Sequence, residues 1–315
     1  MHDPAQRRAS LHQGEQVGRF RIGWLVGTGA TSEVYVANDE RDRRDIVLKL
    51  IRATSPGDEH LRRLQREVEA LATAEHPNVL RVYECGQLRD HAYLVTDFAA
   101  GGSLDARLRS AQPTTAQALR LLTGIAAGLD HVHGLGIIHG DVKPANVLLT
   151  ARARPLLTDF GIAHLPSWSS SASAAREPAH PVGTPFYMSP EQVRCEPLDR
   201  PSDVYSFAVL AYQLLSGRLP FSAEVSADVM YMHLASPPPP LSTVSPALPA
   251  QLDAVLEKGL AKPAGDRWSS CSEMVAAIAI GLGPVPLAAA ERRRQSVAGR
   301  VIGRLLPRLA RWQPV

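Results

Sequence analysis

The chain has 315 residues, of which 45% are hydrophobic and 21% charged, a composition typical of a soluble globular protein with a sizeable core. The formal net charge is only +3, so bulk charge gives no support for a nucleic-acid partner. The three cysteines lie far apart without metal-ligand spacing, residues 1–10 have no signal-peptide pattern, and residues 276–290 are too short and proline-broken to span a bilayer. We therefore expect a cytoplasmic protein with neither a nucleic-acid nor a membrane-spanning role.

The first predicted elements are three strands separated by a glycine turn and a polar loop. Residues 20–26 form a strand-like run that enters the turn Gly27–Ala30, and a second strand-like run follows it. Glycines in such a turn let the backbone approach a phosphate and present N–H groups to it. The third strand, 45–51, holds Lys49 within an apolar run. An ordinary turn and an outward-pointing strand lysine remain the simpler alternatives for these two features.

An amphipathic helix is predicted over residues 60–75, because apolar residues recur there at three- and four-residue steps. Pro77 favours an end to this helix just beforehand. Glu67 lies on the helix, and its neighbour Glu69 faces about 200° away from it. Two further strands are predicted over 80–85 and 92–98.

A long apolar-rich helix is predicted over 114–133, and the polar stretch 139–146 follows it ahead of a short strand at 147–149. Asp141 and Lys143 are two residues apart on a loop stiffened by proline, so both side chains can face one reacting centre. Asn146, five residues after Asp141, can return toward a bound metal ion. An incidental polar turn is the alternative for this stretch taken alone.

The second half of the chain carries three further motifs and a basic tail. Asp159-Phe160-Gly161 follows a predicted hairpin, and the serine-rich stretch 166–180 leads into residues 183–191. Asp203 begins a nearly all-apolar helix, where we expect it to act as the N-terminal cap. Residues 282–315 contain seven arginines and a weak apolar stripe. That pattern fits either a disordered or partner-docking tail or peripheral binding to an anionic membrane.

In this order, the motifs resemble those of the protein kinase catalytic domain, and specifically the bacterial Hanks-type serine/threonine form. The glycine turn resembles G-x-G-x-x-G-x-V, the third strand V-A-I-K, residues 139–146 H-R-D-x-x-x-x-N, and the later motifs D-F-G and A-P-E. Four positions depart from these patterns: Ser32 replaces the third glycine, Val47 the alanine, Gly140 the arginine of the catalytic loop, and Ser189 the alanine before Pro-Glu.

The resemblance implies an α+β, bilobal fold with a small β-rich N-lobe, containing one main helix, and a larger helical C-lobe. It implies a flexible N-terminus at 1–16, an N-lobe at 17–98, a C-lobe at 99–281 and the basic tail at 282–315. It also implies that Asp203 accepts hydrogen bonds from the backbone of the catalytic loop. Two apolar columns should connect the lobes, one of them containing His139 and Phe160.

The resemblance further implies a role for each site residue. The expected catalytic residues are Asp141 as the base, Lys143 at the γ-phosphate, and Lys49 held at the α- and β-phosphates by Glu67. The expected metal ligands for Mg²⁺, with Mn²⁺ as an alternative ion, are Asn146 and Asp159. The expected ATP-binding residues, besides Lys49, are Gly27, Thr28, Gly29, Ala30, Val34, Val47, Thr96, Asp97, Ala99 and Leu148. The expected activation-segment residues are Thr184 and the ion pair of Glu191 with Arg267.

The implied reaction is transfer of the ATP γ-phosphate to serine or threonine hydroxyls of proteins, including autophosphorylation. Lys143 and Thr184 favour the serine/threonine branch over the tyrosine branch. Because Gly140 has no guanidinium to pair with a phosphate, we expect activity to depend only weakly on phosphorylation of the activation loop. A nucleotide-binding pseudokinase scaffold and a small-molecule kinase of similar fold are the alternatives. The sequence does not indicate the oligomeric state.

Overall fold

The computed structural model describes residues 10–29, 32–52, 74–88, 91–160 and 185–283. Its N-terminal part is one antiparallel sheet of six strands in the order β1-β2-β3-β4-β6-β5. The strands are β1 Gln16–Val17, β2 Phe20–Thr28, β3 Ser32–Asp39, β4 Arg44–Arg52, β5 Val82–Leu88 and β6 His91–Asp97. Within the described residues, the C-terminal part is helical apart from a two-stranded hairpin.

The helices of the C-terminal part begin directly after β6. They are α1 Leu104–Ser110, α2 Thr115–Gly134, α3 Pro190–Val193, α4 Arg200–Ser216, α5 Ser226–Ala235, α6 Leu241–Val244, α7 Gln251–Gly259 and α8 Cys271–Leu282. The hairpin pairs β7 Val147–Leu149 with β8 Pro155–Leu157, and single 3₁₀ turns form at Pro144–Asn146, Pro185–Tyr187 and Ala264–Asp266. The bilobal α+β fold expected from the sequence is confirmed.

The two faces of the six-stranded sheet have different surroundings. Successive strand residues point to opposite faces, and directly paired residues on neighbouring strands share a face. One face carries the buried residues Tyr35, Ile46, Leu48, Leu50 and Val95, which form the N-lobe core with Phe20 and Ile22. The other face is therefore free to line a cleft against the C-lobe.

The C-lobe core forms around helix α4, in which twelve of seventeen residues are buried. The sequence correctly predicted this all-apolar helix but assigned its N-terminal cap to the wrong aspartate. The helix begins at Arg200, and the Asp199 carboxylate accepts the hydrogen bond from the Arg200 N–H, at 2.7 Å. Asp203 lies inside the first turn, so its carboxylate is available for another part of the lobe.

Helix α2 forms almost as predicted, because Thr114 and Gln117 make a reciprocal capping box at its start. Of the helix predicted over 60–75, residues 60–73 lie outside the described part, and Ala74 and Glu75 are not helical. Strand β5 begins two residues later than predicted, at Val82. No helix in the described ranges is long and apolar enough to cross a membrane.

Candidate active site

The polar stretch after α2 folds into a tight cluster of three side chains. Lys143 Nζ lies 2.6 Å from Asp141 Oδ2. Asn146 Nδ2 donates to the same oxygen at 2.7 Å and to the Asp141 backbone carbonyl at 2.9 Å. The 3₁₀ turn Pro144–Asn146 places the amide back over the aspartate, as the five-residue spacing requires. A carboxylate, an ammonium and an amide therefore meet at one point.

Asp203 supports this loop from beneath. Its carboxylate accepts hydrogen bonds from the backbone N–H groups of His139 and Gly140, both at 2.8 Å, and lies 2.7 Å from His133 Nε2. Asp203 is only 1% exposed, so these three contacts replace its hydration. The contact with the loop backbone confirms the expectation for Asp203, whereas the role of His133 had no signal in the sequence beyond its position on α2.

Gly140 adopts a backbone conformation that residues with side chains rarely take. Its φ is +69°, in the left-handed region where glycine has no Cβ penalty. Both of its peptide groups are engaged, since its N–H donates to Asp203 and its carbonyl accepts from Gln192 Nε2 at 2.7 Å. The replacement of the family arginine by glycine thus fits the local conformation.

An ion pair connects the two lobes across the cleft. Lys49, on strand β4, contacts the carboxylate of Asp159, which lies 110 residues later and just after β8. Asp159 has φ +55°, a left-handed conformation that aspartate tolerates better than most residues. The Thr158 N–H donates to the Asn146 carbonyl at 3.0 Å, which ties the segment carrying Asp159 to the catalytic loop. Lys49, Asp159 and the Asp141 cluster therefore belong to one site.

The predicted ATP-binding residues of the sheet share one face. Val34 pairs with Gly27 and Lys49, and Val47 pairs with Thr96. Val47 and Lys49 are two residues apart on β4 and therefore share a face. Together with their pairing partners, these residues lie on the face opposite the N-lobe core: Gly27, Val34, Val47, Lys49 and Thr96. Thr28 closes the strand before the turn, and the Gly29 N–H donates to the Ser32 carbonyl at 2.7 Å.

The connection between the lobes is held against strand β7. Asp97 is the last residue of β6, and its N–H donates to the Arg81 carbonyl at 3.1 Å. Ala99 lies two residues later, and the Gly101 N–H donates to the Leu149 carbonyl at 2.8 Å. A Cβ on Gly101 would lie 2.5 Å from the Thr150 carbonyl oxygen, so only glycine permits this approach. Leu148, one of the expected ATP-binding residues, is half-buried on β7.

The rings of His139 and Phe160 are in contact in a tilted arrangement, with centroids 4.6 Å apart and planes inclined by 36°. His139 is fully buried, and this burial lowers the pKa of its imidazole. The Asp141 N–H donates to its Nδ1 at 3.3 Å, which requires that nitrogen to be unprotonated. A neutral imidazole thus joins the catalytic loop to the Asp159 segment, and this contact belongs to the first expected apolar column.

The end of the activation segment contains the predicted Glu191–Arg267 ion pair. Arg267 Nη1 and Nη2 donate to Glu191 Oε1 and Oε2 at 2.6 and 2.9 Å, and Ser202 Oγ donates to Oε1 at 2.7 Å. Burial alone would raise the pKa of Glu191, but these hydrogen bonds outweigh it and hold the pKa below its usual value. Arg267 also donates to three backbone carbonyls, those of Pro201, Ala261 and Lys262.

Gln192 was not singled out in the sequence, yet it connects two parts of the site. It completes a capping box with Ser189 at the start of α3 and donates to the Gly140 carbonyl. Ser189, which replaces the family alanine, thereby gains a function as a helix cap. The serine–glutamine spacing of a capping box was the one sequence signal available for Gln192.

Three predicted site residues, Ala30, Glu67 and Thr184, lie outside the described part of the chain. For the expected metal, the residues that remain present the right donors. The Asp159 carboxylate and the side-chain oxygen of Asn146 are hard oxygen ligands of the kind that Mg²⁺ prefers. Because Asn146 uses its Nδ2 to contact Asp141, its oxygen is left to face a cation.

Comparison with known proteins agrees with this geometry. The family model described as the protein kinase domain matches residues 20–276. A probable serine/threonine-protein kinase PknB of Bifidobacterium longum is 33% identical over 285 residues, covering 87% of this chain and 41% of the relative. Serine/threonine-protein kinase PknB of Mycobacterium tuberculosis is 35% identical over 262 residues, covering 81% and 42% respectively. The chain thus spans about two fifths of the length of these relatives.

Among solved structures, the crystal structure of the kinase domain of Mycobacterium tuberculosis PknI is similar to this chain, with a TM-score of 0.67 and 30% identity. That match covers 86% of this chain and 98% of the PknI domain.

Proposed function

The chain belongs to the protein kinase domain family, and we propose that it is a serine/threonine protein kinase that transfers the ATP γ-phosphoryl group to protein hydroxyls. The observation that carries the proposal is the meeting of Lys49 and Asp159 next to the cluster of Asp141, Lys143 and Asn146. Phosphoryl transfer requires little covalent chemistry from the protein and depends on positioning and charge neutralisation. These five side chains supply both.

Each side chain then has a defined task. Asp141 orients the acceptor hydroxyl and takes its proton, while Lys143, 2.6 Å from it, neutralises negative charge on the transferred group. Lys49 binds the α- and β-phosphates, and Glu67 is proposed to hold it there. Asn146 and Asp159 would hold Mg²⁺, which would supply positive charge to the transferred phosphoryl group. Mn²⁺ could bind to the same oxygen ligands.

Nucleotide binding is assigned to the exposed side of the sheet and the interlobe connection. The backbone of Gly27–Ala30 covers the phosphates, and Val34, Val47 and Leu148 enclose the adenine. Thr96, which is 5% exposed, stands at the back of that pocket, and the backbone groups of Asp97 and Ala99 bind the adenine edge. The Glu191–Arg267 pair is assigned to the platform for a protein substrate, and Thr184 is assigned to support the catalytic loop.

Activity is proposed to depend weakly on phosphorylation of the activation loop. Gly140 offers no guanidinium to a phosphate, whereas the Gln192 amide already ties the Gly140 carbonyl to helix α3. A neutral hydrogen bond thus performs the coupling that a phosphate–arginine pair would otherwise provide. Ser167, Ser169, Ser170, Ser171 and Ser173 are the loop residues whose phosphorylation is at issue.

The decisive experiment follows transfer of labelled phosphate from ATP to the chain itself and to a generic protein acceptor, with identification of the phosphorylated amino acid. We expect label on serine or threonine, lost in Asp141→Asn. Nucleotide binding without any transfer by the wild type would instead favour the pseudokinase scaffold. Transfer only to small metabolites would favour the small-molecule kinase.

A second experiment tests the weak dependence on loop phosphorylation. The five loop serines are replaced by alanine in one variant, and Thr184 by valine in another. We expect the serine variant to keep most of its activity. Its collapse, with rescue by aspartate or glutamate, would contradict the proposal. Loss of activity in Thr184→Val alone would not, because that residue is assigned to support the catalytic loop.

The basic tail, 282–315, is proposed to dock on a partner in preference to a membrane. A chain ending at residue 281 should lose binding to that partner while retaining transfer to a generic acceptor. Loss of binding to anionic vesicles instead would favour the membrane alternative.

A further inference from the structure

A cleft of about 670 Å³ opens on the C-lobe between helices α1 and α2 and the turn joining β7 to β8. Its floor is apolar and includes Leu104, Leu121 and Leu149. Leu149 follows Leu148 on β7, and consecutive strand residues point to opposite faces. The cleft therefore lies on the other side of β7 from the proposed adenine pocket, and an occupant would leave the nucleotide site open.

The rim of the cleft is strongly basic. It carries four exposed arginines: Arg107, Arg120, Arg152 and Arg154. Of the described residues that line the cleft, none is an aspartate or glutamate. Within the described ranges, none of the four guanidinium groups has a carboxylate partner, whereas Arg109 on the same helix α1 pairs with Asp105 at 2.5 Å. The four charges are thus concentrated around one opening without internal neutralisation.

The turn that presents two of these arginines has a fixed shape. Ala153 stands between Arg152 and Arg154 with φ +59°, a left-handed conformation that is unfavourable for alanine. Thr150 stabilises this turn through two hydrogen bonds. Its carbonyl accepts one from the Ala153 N–H at 2.8 Å, and its Oγ1 accepts one from the Arg154 N–H at 3.1 Å. A backbone held in this way reduces the entropy lost when the turn contacts a ligand.

We propose that this cleft, the arginine-rimmed cleft, docks an acidic peptide segment of a protein substrate. Aspartate or glutamate side chains of the segment pair with the four rim arginines, and its apolar side chains occupy the floor over Leu104 and Leu149. An arginine guanidinium matches a carboxylate in planar, bidentate geometry, which suits a rim made of arginines alone. The assignment of the partner as a substrate rests on the proposed kinase function.

Charge complementarity selects a separate, acidic partner over the chain's own termini. Residues 284–315 contain seven arginines and a single glutamate, so the rim would repel them. The same argument applies to the first nine residues, which contain two arginines and one aspartate. We therefore assign the acidic segment to another polypeptide.

The test measures binding of two fluorescein-labelled peptides, Glu-Glu-Leu repeated four times and Gln-Gln-Leu repeated four times, to the full chain by fluorescence anisotropy without ATP. We expect the acidic peptide to bind at least tenfold more tightly than the glutamine peptide. Binding should weaken at least tenfold in Arg152→Glu/Arg154→Glu and, on the opposite wall, in Arg107→Glu/Arg120→Glu. The matched control Arg41→Glu/Arg43→Glu changes the charge equally at an exposed N-lobe turn and should bind like the wild type.

Three outcomes would overturn the proposal. They are equal binding of the two peptides, equal loss in the control variant, and wild-type binding to phosphatidylserine vesicles or single-stranded DNA with no binding of the acidic peptide. Circular dichroism on each variant separates loss of binding from loss of folding. If one of the two arginine double variants does not fold, the other still tests the proposal.

A final experiment tests whether docking in the arginine-rimmed cleft improves phosphorylation of a substrate. Fusing the acidic peptide to a generic serine acceptor should lower its KM about tenfold with unchanged kcat, and the Arg152→Glu/Arg154→Glu variant should abolish that gain while phosphorylating the unfused acceptor normally. If the wild type binds the acidic peptide but transfers no phosphate, the kinase assignment fails and the docking chemistry stands. If it transfers phosphate with no gain from the fusion, the role of the cleft in substrate docking fails and the kinase assignment stands.

Discussion

The side-chain amide of Gln192 donates a 2.7 Å hydrogen bond to the backbone carbonyl of Gly140, 52 residues earlier in the chain. This contact joins the first turn of helix α3, at the end of the activation segment, to the residue just before Asp141.

We expect Gln192→Ala to lower kcat about fivefold, because a neutral hydrogen bond contributes about 1 kcal/mol to the arrangement it holds. Steady-state kinetics with a generic acceptor measure the effect. Ser189→Ala is the matched control, since it disrupts the same capping box but leaves the contact with Gly140 available. An unchanged kcat in Gln192→Ala would show that the contact does not position the catalytic loop.

Asp203 and Asp199 offer a second comparison within one helix. Asp203→Asn keeps the shape of the side chain, but its amide nitrogen cannot accept a hydrogen bond from a backbone N–H. The His139 and Gly140 N–H groups donate to different oxygens of the Asp203 carboxylate, and asparagine keeps only one of these oxygens. We expect a loss of kcat exceeding tenfold, since one of the two N–H groups then faces a donor instead of an acceptor. Asp199→Ala should cost about 1 kcal/mol of stability through loss of the cap and leave kcat close to wild type. Equal kcat values for the two variants would contradict this division of roles.

At the Glu191–Arg267 ion pair, we expect removal of one partner to cost more stability per residue than removal of both. Removing one partner leaves a buried charge without compensation, so we expect Glu191→Ala and Arg267→Ala each to lower the free energy of unfolding by about 3–5 kcal/mol. The double variant Glu191→Ala/Arg267→Ala should lose less than the sum of the single changes, because it leaves no unpaired buried charge. Urea unfolding of the four proteins measures both quantities, and strict additivity would exclude a coupled pair.

The buried His233 should make the stability of the protein depend on pH. Burial, with the nearby positive charge of Lys262, lowers the pKa of its imidazole to about 4. In the unfolded chain the pKa is about 6.5, so between these values the unfolded state binds one more proton. This contribution to stability is fully present above about pH 6.5 and is lost as the pH falls toward 4, by up to about 3 kcal/mol in total.

Two aromatic side chains contact His233, and neither titrates in this pH interval. Tyr205 OH lies 2.9 Å from its Nδ1, and Phe221 packs on its edge with centroids 5.0 Å apart. Chemical unfolding at pH 4.5, 5.5 and 7 should therefore show a steeper decline for wild type than for His233→Asn. The depressed pKa of Glu191 adds a loss of the same sign at lower pH in both proteins. Parallel curves would show that His233 is not the titrating group.

The sequence predicted the fold, and it predicted several contacts whose partners both belong to family motifs. The loop 139–146, strand β4 with Lys49, and the pairing of Glu191 with Arg267 were all identified because the residue types, spacing and family pattern coincide. The error at Asp203 has a physical cause: two aspartates near one helix start both suit a cap, and only the tertiary contact with the catalytic loop distinguishes them.

Contacts between distant segments for which no family motif names both partners were not predicted from the sequence. Gln192 and Ser202 each contact a site residue through a side chain whose local pattern indicates only a helix terminus. The four arginines of the arginine-rimmed cleft come from two helices and a hairpin turn, and no periodicity in the chain relates them. Their meeting follows from the packing of those elements.

The glycine at position 101 lets the connection between the lobes lie directly against β7. Gly101 and Gly102 are hydrogen-bonded to both peptide groups of Leu149, so this end of the connection moves as one body with β7. If the two lobes move apart or together, we expect the backbone torsions of residues 97–100 to change, because residues 101 and 102 are fixed to β7. A bulky side chain at Gly101 would separate the connection from β7 and change the position of Asp97 and Ala99 relative to Lys49 and Asp159.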